Sequence, residues 1–277
     1  MDNFSFMDIS SALFLTLLAG LSTAIGASFA FFSSDKNHKV LSIGLGFSAG
    51  VMIYVSFVEI LQKSKLSFLD IFQNQIQAEF LTLLCFFGGI GLSALIDRLI
   101  PEDVNPHEPR SDEDLGELKE GARVSKTALK RTGIFTALAI GIHNFPEGFA
   151  TFIASLQDFT LGISIALAIA IHNIPEGMAI SLPIYHATGD RKKAFFYAVL
   201  SGLAEPIGAI VGFFLLLPLM GMATLGVTFG VVAGIMVYIS FDELLPSARV
   251  YGNAHTTIAG IVSGMFVMAI SLVAFKI

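Results

Sequence analysis

The chain has 277 residues, of which 54% are hydrophobic and only 14% charged, with a net charge of −6 and one cysteine. Soluble domains carry about 25% charged residues, so a chain this poor in charge cannot clothe a water-facing surface, and one cysteine excludes an internal disulfide. The negative balance comes mostly from one loop and points to no nucleic-acid partner.

From the N-terminus, Met1–Ser11 has neither a basic stretch nor a small-residue cleavage pattern, so the first apolar segment is expected to stay in place as a membrane span. Eight apolar segments follow, at about 9–32, 40–62, 78–100, 127–153, 159–186, 191–217, 222–246 and 254–275. A hydrocarbon core about 30 Å thick takes roughly 20 apolar residues per helical span. These segments predict an all-α integral membrane protein with eight transmembrane helices, forming a single transmembrane domain over residues 1–277. Cys85 falls inside the third segment and reads as a small buried hydrophobe.

Most connections are short. The exception, 101–126, is acidic and polar with Pro and Gly, a composition that buries too little apolar area to fold and predicts a flexible loop. His107 is its one histidine. Thirteen of the sixteen Lys and Arg residues fall on the side of the membrane that carries this loop, and Lys63, Lys65 and Lys276 fall on the other. The positive-inside bias therefore predicts a cell-membrane protein with a cytoplasmic loop and both termini outside.

Internal repeats give the segments an arrangement. GFSAGVMIYVSFVEILQKS at 46–64 matches GVVAGIMVYISFDELLPSA at 230–248 at nine of nineteen positions. AGLSTAIGASFAFF at 19–32 matches SGLAEPIGAIVGFF at 201–214 at seven of fourteen. IHNFPEG at 142–148 and IHNIPEG at 171–177 share six of seven. The first and sixth, and the second and seventh, spans cross in opposite directions, which predicts a 3+2+3 inverted repeat around the central fourth and fifth spans. Transporters of this build hold substrate near the bilayer midplane at the repeat interface.

The central motifs carry the chemistry. On a helix, residues four apart differ by about 40° in direction and about 6 Å in height, so His143 and Glu147 share one face, as do His172 and Glu176. Asn144 and Asn173 lie on the same faces, rotated slightly the other way. Two antiparallel helices meeting here predict two adjacent metal sites bridged by Glu147 and Glu176. Pro146 and Pro175 lack a backbone donor, which predicts kinks and freed carbonyls at Ile142 and Ile171. Glu205, followed by Pro206, adds a third carboxylate where its repeat counterpart is Thr23. Imidazole and carboxylate together suit zinc, iron or manganese better than calcium or magnesium. Buried carboxylates in hydrocarbon must be protonated, hydrated or metal-bound, which predicts competition between protons and metal. Glu59 and its counterpart Glu243, with Asp242, sit near opposite span ends and are either lining for the ion's route or interfacial charges reaching water.

HNFPEG and HNIPEG, followed by GLAEPIGA, resemble the ZIP family of metal permeases, in its bacterial zinc-uptake branch. The likeness covers essentially the whole chain, including AGVM near residue 50, LIDRLIP at 95–101 and SFDELLP at 240–246. The resemblance implies eight spans with external termini, uptake into the cytoplasm, and a two-metal site. Its ligands match His143, Asn144, Glu147, His172, Asn173, Glu176 and Glu205. A second-span methionine contributes in some members, and Met52 is the match here, although its counterpart Met236 has no such role. The resemblance also implies that the first, fourth, fifth and sixth spans shift as a mobile unit. The family's histidine-rich cytoplasmic loop is nearly absent. The expected cargo is zinc, with iron, manganese, cobalt and cadmium as alternatives, and no prosthetic group. The expected partners are these ions, the lipid bilayer and a second copy of the chain. The rival readings are a passive metal channel and an intramembrane metalloenzyme. The second lacks the His-Glu-x-x-His spacing of helical zinc proteases.

Overall fold

The computed structural model describes residues 4–32, 38–99, 126–157, 159–216 and 222–274. Among them, eight helical stretches follow one another and none is in a strand. These are α1 (Phe6–Ala27, resumed over Phe29–Phe32), α2 (His38–Val55, a π turn over Ser56–Ile60, then Leu61–Phe72), α3 (Gln75–Leu99) and α4 (Lys126–Gln157). After them come α5 (Phe159–Thr188), α6 (Arg191–Gly202 and Ala204–Leu216), α7 (Met222–Ile239, a π turn over Ser240–Leu244, then Leu245–Tyr251) and α8 (Ala254–Ala274). Seven of the eight are long and apolar enough to cross a membrane. The exception is α4, which opens on Lys126, Lys130 and Arg131 and carries His143, Asn144, Pro146 and Glu147 in its middle. The acidic stretch through residue 125, with His107, lies outside the described residues.

The helix ends follow from local chemistry. Ser5 and Asp8 form a reciprocal capping box that starts α1, the Ser5 N–H donating to Asp8 Oδ2 at 2.9 Å and the Asp8 N–H to Ser5 Oγ at 3.2 Å. Asp190 caps α6 by accepting from the Lys193 N–H at 3.0 Å. The second helix runs ten residues past the expected end at 62, because Ser64, Ser67 and Phe68 bury a face beyond it. It stops where Gln73 turns left-handed at φ 51°. α6 breaks at Leu203, since Pro206 has no N–H for the Gly202 carbonyl four residues earlier. α4 and α5, by contrast, remain helical through Pro146 and Pro175.

α4 and α5 pack together at the centre, with α1 against α5, α6 against α4, α2 against α5 and α7 against α4. α8 covers α2, and α3 covers α7. Buried residues make up 72% of the apolar stretch of α2 and 71% of that of α5, against 22% for α3 and 28% for α8. The outer pair therefore present Phe80, Phe87 and Phe266 outward, a surface suited to lipid rather than water. Hydroxyls inside apolar helices return to their own backbone: Ser56 Oγ donates to the Met52 carbonyl at 2.6 Å, and Ser240 Oγ to that of Met236 at 2.8 Å.

Close crossings at the centre come in matched pairs. Gly26 of α1 abuts the Ile174 carbonyl of α5, and Gly208 of α6 abuts the Phe145 carbonyl of α4. Gly177 of α5 abuts the Thr23 carbonyl of α1, and Gly148 of α4 abuts the Glu205 carbonyl of α6. At each of the four, a Cβ would overlap neighbouring backbone. Close backbone approach through small residues is how helices associate where lipid removes the hydrophobic driving force.

Candidate metal centre

The glycine crossings bring α1, α4, α5 and α6 together, and every polar side chain expected there is buried: His143, Asn144, Asn173, Glu176 and Glu205 at 0%, His172 at 1% and Glu147 at 3% exposed. They pair across helices rather than along them. His143 Nε2 of α4 lies 3.0 Å from Glu176 Oε1 of α5. His172 Nε2 of α5 lies 3.0 Å from Glu147 Oε1 of α4. Each imidazole thus meets the carboxylate of the facing motif, and the two pairs cross the α4–α5 contact in opposite directions.

The Asn173 amide ties in α1 and α6. Asn173 Nδ2 donates to the Ala19 carbonyl of α1 at 2.9 Å and to Glu205 Oε1 of α6. The Asn144 amide, rotated to satisfy both of its ends, places its nitrogen 3.0 Å from the Ile140 carbonyl and 3.3 Å from Glu176 Oε2. At the centre, Glu147 Oε2, Glu205 Oε2, His143 Nδ1 and Asn173 Oδ1 meet no hydrogen-bond partner among the described residues. Thr23 Oγ1 of α1, opposite Gly202 of α6, is another. Buried oxygens without partners are costly, and two are carboxylate oxygens, hard donors suited to a cation. Among the described residues, no three His, Cys, Asp or Glu side chains converge on one point as they stand. The imidazoles and carboxylates pair with one another instead.

A narrow cleft reaches this cluster. Its inner end is Glu147 and His172, its walls include Val55, Ile165, Ile169 and Phe229, and its mouth holds Glu59 and Lys63. Glu59 belongs to the π turn of α2, the kind of local bulge often found at functional positions. Asp242 and Glu243 occupy the corresponding π turn of α7, and nearby the Tyr238 hydroxyl lies 3.5 Å from Asp97 Oδ2.

Seven of the eight expected ligands therefore meet at the crossing of α4, α5 and α6. Met52 is fully buried in the apolar core on α2, where its carbonyl accepts from Ser56 Oγ. The sequence reading missed Lys63 as a lining residue and the Ala19 and Ile140 carbonyls as partners. Lys63 carried a weak signal, lying four residues after Glu59 on one helix face. The carbonyls carried none, because any residue supplies one.

A family model described as ZIP Zinc transporter matches residues 5–97 and 101–272. The chain is 60% identical to a Zinc transporter ZupT of Campylobacter jejuni, covering 97% of this chain and 98% of that protein. It is 53% identical to one of Clostridium perfringens, with 97% of each chain covered. A third, from Streptococcus mutans, is 54% identical over 96% of this chain and 97% of its own.

Proposed function

This chain belongs to the ZIP zinc-transporter family, whose members are multi-pass membrane transporters rather than enzymes, and from that premise we propose that it moves zinc into the cytoplasm through the buried cluster of α4, α5 and α6. The observation that carries this reading is the set of crossed imidazole–carboxylate pairs, with carboxylate oxygens left unmatched, at the inner end of a cleft. A dication arriving there meets ligands already stripped of water. It replaces the imidazole as the partner of each carboxylate, and each imidazole, in its neutral form, offers the ring nitrogen that carries no proton as a ligand.

In this reading His143, Glu147, His172 and Glu176 hold one ion, while Asn144, Asn173 and Glu205 shape a second, oxygen-rich position bridged by the same glutamates. Met52 is the outer, sulfur-bearing candidate. Nitrogen and oxygen donors of this kind suit zinc, and also iron, manganese, cobalt and cadmium. The topology is eight spans, α4 included, with both termini outside and the loop before α4 in the cytoplasm. The cleft then opens to the exterior, on the side of Lys63 and Lys65. The matched glycine crossings and the twin π turns at Ser56–Ile60 and Ser240–Leu244 support the 3+2+3 inverted repeat.

Purified protein in proteoliposomes tests the proposal. Zinc uptake that saturates at low turnover, with iron, manganese, cobalt and cadmium competing in turn, is the expected outcome. Flux rising linearly with zinc at channel-like rates favours the passive-channel reading instead. No flux at all refutes both.

A further inference from the structure

The mouth of the cleft holds a pair of opposite charges. Lys63 Nζ lies 2.8 Å from Glu59 Oε1, and both side chains are 21% exposed. The π turn carries Glu59 and the following helical turn carries Lys63, so both reach the passage that ends at Glu147 and His172. An exposed Glu–Lys pair four residues apart stabilises a helix by only about 0.3–0.5 kcal/mol. Stability alone therefore gives little reason to put a positive charge on a path for divalent cations, which it repels. The corresponding residue of the matching α7 segment is Ser247, so the lysine marks one end of the molecule only.

We propose that Lys63 is a tethered competitor for the incoming ion. Its ammonium occupies the Glu59 carboxylate, the first anionic group a dication meets, and the ion reaches Glu147 only after displacing it. A protonated lysine has donors and no lone pair, so it cannot help ligate the metal. It can swing away on its flexible four-carbon stem. A doubly charged ion wins this exchange where a monovalent ion does not. Lys63 thereby sets both the concentration at which uptake begins and its bias against sodium and potassium. The inference rests on the transport reading above and adds a specificity-determining residue to it.

Initial rates of zinc uptake against free zinc, in proteoliposomes of the wild type and of Lys63→Met, Lys63→Arg and Glu59→Gln, test it. Lys63→Met keeps the apolar stem and removes the charge. It is expected to lower KM by about three- to tenfold, a gap that narrows at high ionic strength. Lys63→Arg should leave KM at or above the wild-type value, and Glu59→Gln should raise it. Lys63→Gln repeats the measurement if Lys63→Met inserts poorly. An unchanged or raised KM in the uncharged variants, or a change confined to the maximal rate, overturns the assignment. A wild type without saturable uptake defeats the transport reading itself. Normal wild-type uptake with an indifferent Lys63→Met defeats this inference alone.

Discussion

Glu176→Gln tests the centre at its most connected carboxylate. The side chain is fully buried, with Oε1 3.0 Å from His143 Nε2 and Oε2 3.3 Å from the Asn144 nitrogen. Glutamine fills the same volume, its amide oxygen accepting from the Asn144 nitrogen and its NH2 donating to His143 Nε2 in the Nδ1-protonated tautomer. The cost to the fold is therefore the exchange of a charge-assisted for a neutral hydrogen bond, about 1 kcal/mol. Alanine would instead strand His143 and Asn144 in a dry interior at about 3–5 kcal/mol, mixing a folding defect with a binding one. For the metal, the glutamine removes an anionic ligand. Disturbing the groups that merely orient a ligand costs about 10- to 100-fold in affinity, so neutralising the ligand itself should cost at least about 100-fold, or about 2.8 kcal/mol. Binding is measured in detergent against a fluorescent zinc indicator, uptake in proteoliposomes, and folding by thermal melting. The expected result is a nearly unchanged melt with binding and uptake lost together, and the same pattern for Glu147→Gln, its counterpart across the pair. A Glu176→Gln protein that binds zinc within about threefold of the wild type would refute the assignment of the cluster as the metal site.

Three further outcomes follow from the same geometry. Gly148→Ala and Gly177→Ala each force a methyl group into neighbouring backbone and should destabilise by about 1–3 kcal/mol with loss of uptake, whereas Gly88→Ala and Gly91→Ala, which meet open space, should melt within about 0.5 kcal/mol of the wild type. Because imidazole and carboxylate must shed their protons to ligate, zinc affinity should fall as pH drops from neutral to mildly acidic; equilibrium binding that stays flat across that range would count against both histidines. Asn173→Ala removes the donor that holds Glu205 Oε1 and the link to the Ala19 carbonyl; competition assays should then show the rank order among zinc, iron and manganese altered more than the zinc uptake rate.

The polar insert within apolar helices was readable because hydrocarbon tolerates so few such residues. His143, Glu147, His172 and Glu176 stand out on composition and spacing alone. What spacing could not give was the partner of each. An i, i+4 step puts His143 and Glu147 on one face, yet each bonds across to the other helix, a choice made by the α4–α5 crossing rather than by either motif. The length of α2 was hidden for a related reason. Lys63 and Lys65 look like a membrane boundary in one dimension, while the helix continues amphipathically to Phe72 beneath them. The π turns were invisible too, since SFVEI and SFDEL are ordinary helical sequence.

The apolar walls of the cleft, between a charged mouth and a charged floor, have a further consequence for which ions pass. Val55, Ile165, Ile169 and Phe229 offer nothing to replace the waters around a cation, so an ion crossing that waist travels with few of them. Magnesium gives up its hydration shell reluctantly. On the transport reading proposed above, magnesium is therefore expected to be held back at a stretch that contains no ligand, however well the carboxylates beyond would suit it.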